Sequence, residues 1–153
     1  MSTYDFTKGA GAISNLDYGR MFVARIPIVV ADIIASDATL IANAKITAAD
    51  IIQLWDIPAK TVLLVSMAAL KIVVAGTAGG TVDVGFAGST EFFSGVSSAA
   101  AAGVIYTVAH NAGYGTDNYG ALDYETTDTV DIQFIADETV GSMVLYLPGY
   151  YLD

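Results

Sequence analysis

The sequence of 153 residues has no cysteine and a single histidine, His110. Without cysteine the chain forms no disulfide framework, no cysteine-ligated zinc site and no thiol nucleophile. One histidine cannot supply a histidine pair for a metal ion, and no serine lies in the strand-to-helix turn of a hydrolase nucleophile. We therefore predict no catalytic residue, no metal and no cofactor, and we interpret His110 as a surface loop residue.

Basic residues are also few: six Lys and Arg stand against 16 Asp and Glu, and none lies after Lys71. The net charge of −10 argues against nucleic acid and anionic membranes, because both are bound through Lys and Arg. The acidic part after Lys71 is expected to face solvent. Lys8, Arg20 and Arg25 would suit an acidic partner, or they are ordinary solvated charges.

Targeting and membrane-spanning signals are lacking as well. The sequence does not begin with a basic segment followed by an apolar one, so we expect that it has no secretory signal. We accordingly expect that the protein is made in the cytoplasm. The small-residue stretch Val96–Ile105 is too short to span a bilayer.

What the sequence does contain is a series of short apolar segments separated by turn residues. About eight strands and at most one short helix, near 38–44 with Ser36-Asp37 as its cap, predict an all-β, antiparallel two-sheet sandwich or jelly roll. We place this domain at residues 20–153, behind an N-terminal arm at 1–19. The predicted strands are Met21–Val30, Ile51–Ile57, Thr61–Val74, Thr81–Ala87, Glu91–Ser94, Gly103–Val108, Thr129–Ile135 and Ser142–Leu147.

Two local features refine this prediction. Pro27 lies inside the first strand, which indicates an edge strand or a bulge because proline cannot donate to the ladder. The apolar stretches Val62–Val74 and Val82–Phe86 flank a glycine-rich tract at 75–80. This pattern predicts a β-hairpin with a long buried arm.

Hydrophobic residues make up 54% of the chain and charged residues 14%. Either both faces of the sheets are covered or part of the surface is buried against another chain, and we favour the second explanation. Aromatic residues of segment 1–19 would dock on a neighbouring subunit, or the segment is a loosely held tail. Tyrosines in the loop region 106–124 suit either a protein interface or a sugar-stacking platform, and the interface is favoured; those we select are Tyr114, Tyr119 and Tyr124.

Acidic residues cluster between 117 and 131. Their oxygens could bind calcium, but the ligand order of an EF-hand is missing, so solvated acidic loops are favoured. The cluster consists of Asp117, Asp123, Glu125, Asp128 and Asp131.

The order of several segments is informative in itself. Ile52-Gln53-Leu54-Trp55-Asp56-Ile57-Pro58-Ala59 is followed by a long apolar stretch and by Gly80-Thr81-Val82-Asp83-Val84-Gly85-Phe86. The strand Asp128–Ile132 and the apolar strand Met143–Leu147 come last. In this order the chain resembles small virion proteins of tailed phages, the capsid cement or decoration proteins. The resemblance covers residues 50–147 and brings no catalytic residues with it.

The resemblance implies a non-enzymatic homotrimer on the exterior of a shell of major capsid protein, in a virion assembled in the host cytoplasm. Its partners would be copies of itself and the major capsid protein. The alternative is a phage fibre or carbohydrate- or receptor-binding sandwich that uses the tyrosine loop. The residues we predict to contact the capsid are Tyr4, Phe6, Lys8, Tyr18, Arg20 and Arg25.

Overall fold

A computed structural model describes residues 3–5, 21–85, 92–107, 122–124 and 126–152. These ranges contain eleven strands, two short helices and a 3-10 turn at Val65–Met67. The helices are α1 (Val30–Ser36) and α2 (Ala38–Asn43). The strands are β1 (Thr3–Asp5), β2 (Met21–Val29), β3 (Ile51–Ile57), β4 (Thr61–Leu63), β5 (Ala69–Val74), β6 (Thr81–Gly85), β7 (Phe93–Ser97), β8 (Ile105–Thr107), β9 (Leu122–Tyr124), β10 (Asp128–Phe134) and β11 (Ser142–Tyr151).

The strands form two sheets. Sheet I has the order β1-β3-β10-β6-β7, and all of its pairs are antiparallel except β1 with β3. In sheet II, β11 lies between β2 on one side and β5 and β4, in succession, on the other. Strands β8 and β9 extend this sheet outward. The predicted all-β class with two antiparallel sheets is confirmed.

The described residues hold more strands than the eight expected, because the long segment Thr61–Val74 is divided and three-residue strands are added. The 3-10 turn separates β4 from β5, and the two strands pair with different parts of β11. Strand β2 pairs with β11 alone among the described residues, so the edge position predicted from Pro27 is confirmed.

Alternating side chains of the two sheets meet in a common core. Val82 and Val84 of β6 and Val130, Ile132 and Phe134 of β10 are fully buried, as their alternation predicted. Burying one such side chain contributes roughly 1.5–3 kcal/mol. The core is therefore the main source of the stability of the fold.

The helical segment lies between β2 and β3. Asp37 caps α2: its carboxylate accepts hydrogen bonds from the backbone N–H groups of Thr39 at 2.7 Å and Leu40 at 3.3 Å. This confirms the helix and the cap predicted there, whereas α1 was not predicted. Among the described residues no helix has both the length and the apolar character needed to cross a bilayer.

Strand β11 continues through Pro148 and Gly149 to Tyr151, beyond the predicted end at Leu147. Glycine at position 149 allows β11 to pack closely against β2 and β4, because a Cβ there would lie 2.7 Å from the Phe22 ring and 2.6 Å from the carbonyl oxygen of Val62. The Phe22 ring stacks on Tyr151 with centroids 4.8 Å apart. Burial raises the pKa of the Tyr151 hydroxyl.

The predicted hairpin of residues 62–86 is wrong. Strand β5 belongs to sheet II and β6 to sheet I, so the glycine-rich tract at 75–80 crosses from one sheet to the other. Gly80 N–H donates to the Thr77 carbonyl at 2.8 Å and closes a turn, but Gly76 N–H donates to Ser98 beyond β7. The tract reverses the direction of the chain, as its glycines indicated. However, β5 pairs with β11 and β8 instead of with β6.

A buried carboxylate holds this crossing in place. Glu138 has no exposed surface; its carboxylate accepts hydrogen bonds from Thr77 N–H and, at 2.9 Å, from the Ser98 hydroxyl. Its backbone exchanges two 2.9 Å hydrogen bonds with Ile46. A Cβ at Gly76 would lie 2.5 Å from one carboxylate oxygen, and a Cβ at Gly80 would lie 2.5 Å from the other. Glu138 thereby joins the crossing to the turn after β7 and to the segment after α2.

We predict that Gly80→Ala destabilises the chain by about 3 kcal/mol, because the new methyl group would overlap the Ser98 hydroxyl oxygen and the Glu138 carboxylate and would lie 2.9 Å from the Thr77 carbonyl oxygen. The neighbouring Gly79 is the control: it has a φ of +80° and open space around its Cβ position. Gly79→Ala should cost only about 1 kcal/mol, from backbone strain alone. Urea unfolding measures both values, and equal losses would contradict the role assigned to the carboxylate.

Asp137 forms an exposed contact beside this site. Its carboxylate accepts hydrogen bonds from the Lys45 ammonium at 2.5 Å and from Ala48 N–H at 2.8 Å. The Lys45 hydrogen bond and then the Ala48 hydrogen bond lower the pKa of Asp137 below its ordinary value of 3.8.

Because the folded-state pKa of Asp137 is lowered, its contribution to stability is present above the ordinary value and is lost as the pH falls through the lowered value. We predict that Asp137→Asn flattens the decline of the melting temperature below pH 4. Lys45→Gln should flatten it similarly, since it removes the largest cause of the shift. Thermal melts followed by circular dichroism from pH 7 to pH 2.5 test this, and an unchanged acid slope in both variants would refute it.

Candidate interaction surface

The outer side of sheet II is largely apolar. In this sheet the register pairs Met21 with Tyr150, Val23 with Pro148 and Arg25 with Tyr146, so these side chains share one face. We call this surface the apolar face. It comprises Met21, Val23, Arg25, Pro27 and Val29 of β2, Ser142, Val144, Tyr146, Pro148 and Tyr150 of β11, Ala69, Lys71 and Val74 of β5, Val62 of β4, and Ile105 of β8.

Several large side chains of the apolar face are open to solvent. Met21 is 69% exposed, Val23 61%, Ile105 56% and Val74 55%. Val144, in the middle, is only 5% exposed, because Pro27 and Lys71 lie beside it on the neighbouring strands. Contiguous exposed apolar surface of this kind marks interaction sites in soluble proteins.

Two members of the apolar face, Arg25 and Lys71, are basic. They lie on the strands that flank β11, opposite Tyr146 and Val144 respectively. Beyond β4, the register that pairs Tyr150 with Val62 and Val62 with Asp123 places Asp123 of β9 on the same side of sheet II.

The outer side of sheet I has the opposite character, and we call it the acidic face. Asp56 is exposed, and Asp83 accepts a hydrogen bond from Gly95 N–H at 2.5 Å. Asp131 lies on this face but is 3% exposed. The outward residues of the face include Ile51, Gln53 and Asp56 of β3, Thr81 and Asp83 of β6, Ser97 of β7, and Thr129, Asp131 and Gln133 of β10.

A shallow open groove lies at the end of the acidic face, and it is polar. Gln53, Asp56, Thr127, Asp128 and Thr129 line it. The Gln53 amide donates to the Thr129 hydroxyl at 3.4 Å across its floor. Its lining residues include no aromatic ring on which a sugar could stack.

The predicted calcium cluster is only partly described. Asp117 and Glu125 lie outside the described residues, Asp123 lies in β9, and Asp128 is exposed at the groove. No group of three acidic or histidine side chains within the described ranges could hold a metal ion.

Of the predicted capsid contacts, Arg25 is exposed on the apolar face. Tyr4 lies in β1, which pairs in parallel with β3 at the edge of sheet I. The others, Phe6, Lys8, Tyr18 and Arg20, lie outside the described residues. These contacts therefore remain predictions.

The predicted tyrosine surface is likewise untested. Tyr124 lies in β9 and pairs with Thr61 of β4, while Tyr114 and Tyr119 lie outside the described residues, as does His110.

Sequence reasoning missed the apolar face itself. The signal was present: β2 and β11 carry apolar residues on both sides of each strand, so one side had to face something other than the core.

We predict that the exposed residues of the apolar face contribute little to the stability of the isolated chain. Val23→Ala should change the free energy of unfolding by no more than about 0.5 kcal/mol. Ile26→Ala, on the same strand but fully buried, should cost about 2–5 kcal/mol. Urea unfolding compares the two, and a large loss for Val23→Ala would show that this side chain already packs within the chain.

No family model matches the sequence, and no curated protein matches it. In fold, the chain is similar to a chain of the capsid of Ralstonia phage GP4, with a TM-score of 0.62 and 16% identity. The similarity covers 99% of both chains. A second similarity, to a chain of the cyanophage Pam1 capsid asymmetric unit, has a TM-score of 0.49, 20% identity and coverage of 93% and 92%. The first of these comparisons, together with the two packed sheets, shows that the chain has the fold of a phage capsid component.

Proposed function

We propose that the chain is a non-enzymatic virion structural protein, specifically a capsid cement or decoration protein on the exterior of the shell. The observation that carries this proposal is the likeness to a chain of the GP4 capsid over 99% of both chains. Since each chain is covered almost completely, the two chains are of similar length.

The proposed action is binding, without a chemical step. A protein that binds the assembled shell but not its dissociated subunits stabilises the shell by mass action, by about 2.7 kcal/mol when its free concentration is 100 times the dissociation constant. A small sandwich with a closed core suits this role, because it meets the shell as a rigid body. The major capsid protein is the proposed partner.

The proposal includes assembly as a homotrimer, with the N-terminal residues 1–30 contributing to the capsid contact. The hydrophobic fraction of 54% supports burial of further surface against other chains. In a trimer each shell contact is made three times, which raises the overall affinity without any new contact.

We predict a solution mass of three times 15.9 kDa for the purified full-length chain, measured by light scattering after size exclusion. Added to shells assembled from the major capsid protein of the same phage, the chain should co-sediment with them and raise their melting temperature. A chain that stays in the supernatant at saturating concentration would refute the cement role, and a monomeric mass would refute the trimer.

A further inference from the structure

We draw no further inference here: the strongest candidate, the exposed apolar surface patch on the outer side of sheet II, carries none because nothing in the described part of the chain shows what covers it.

Discussion

The Glu138 carboxylate determines how the two sheets are connected. It is fully buried, yet it accepts hydrogen bonds from Thr77 and Ser98, so the cost of removing it from water is offset by its partners. Gly76 and Gly80 leave it the space that side chains would occupy. Three distant segments of the chain thereby converge on one side chain. The crossing between β5 and β6 depends on that convergence, and with it the separation of the chain into two sheets.

This two-sheet arrangement gives the molecule two unlike surfaces. The outer side of sheet I is rich in amides, hydroxyls and carboxylates, whereas the outer side of sheet II is rich in valine, methionine, proline and tyrosine and also carries Arg25, Lys71 and Asp123. A flat domain with such sides can attach through one of them and remain hydrated on the other.

Much of the local structure was predictable because it depends on neighbours in sequence. The segment Ile51–Ile57 is a strand with the predicted bounds, and the Asp37 side chain caps α2 through N–H groups two and three residues away. The inward positions of β10 follow from alternation alone. The pairing of β5 was not predictable in this way, since a glycine-rich tract specifies a reversal but not the strand that will lie beside the next one.

The sequence by itself determined the all-β class, the positions of most strands, the scarcity of basic residues and the lack of any thiol or histidine pair for chemistry. Tertiary structure alone decided that β5 and β6 lie in different sheets, that Glu138 is buried, and which side of β2 and β11 faces outward. The physical reason is that hydrophobic periodicity identifies the two faces of a strand only when they differ. Where both are apolar, as in β2 and β11, contacts with residues far away in sequence determine which face enters the core.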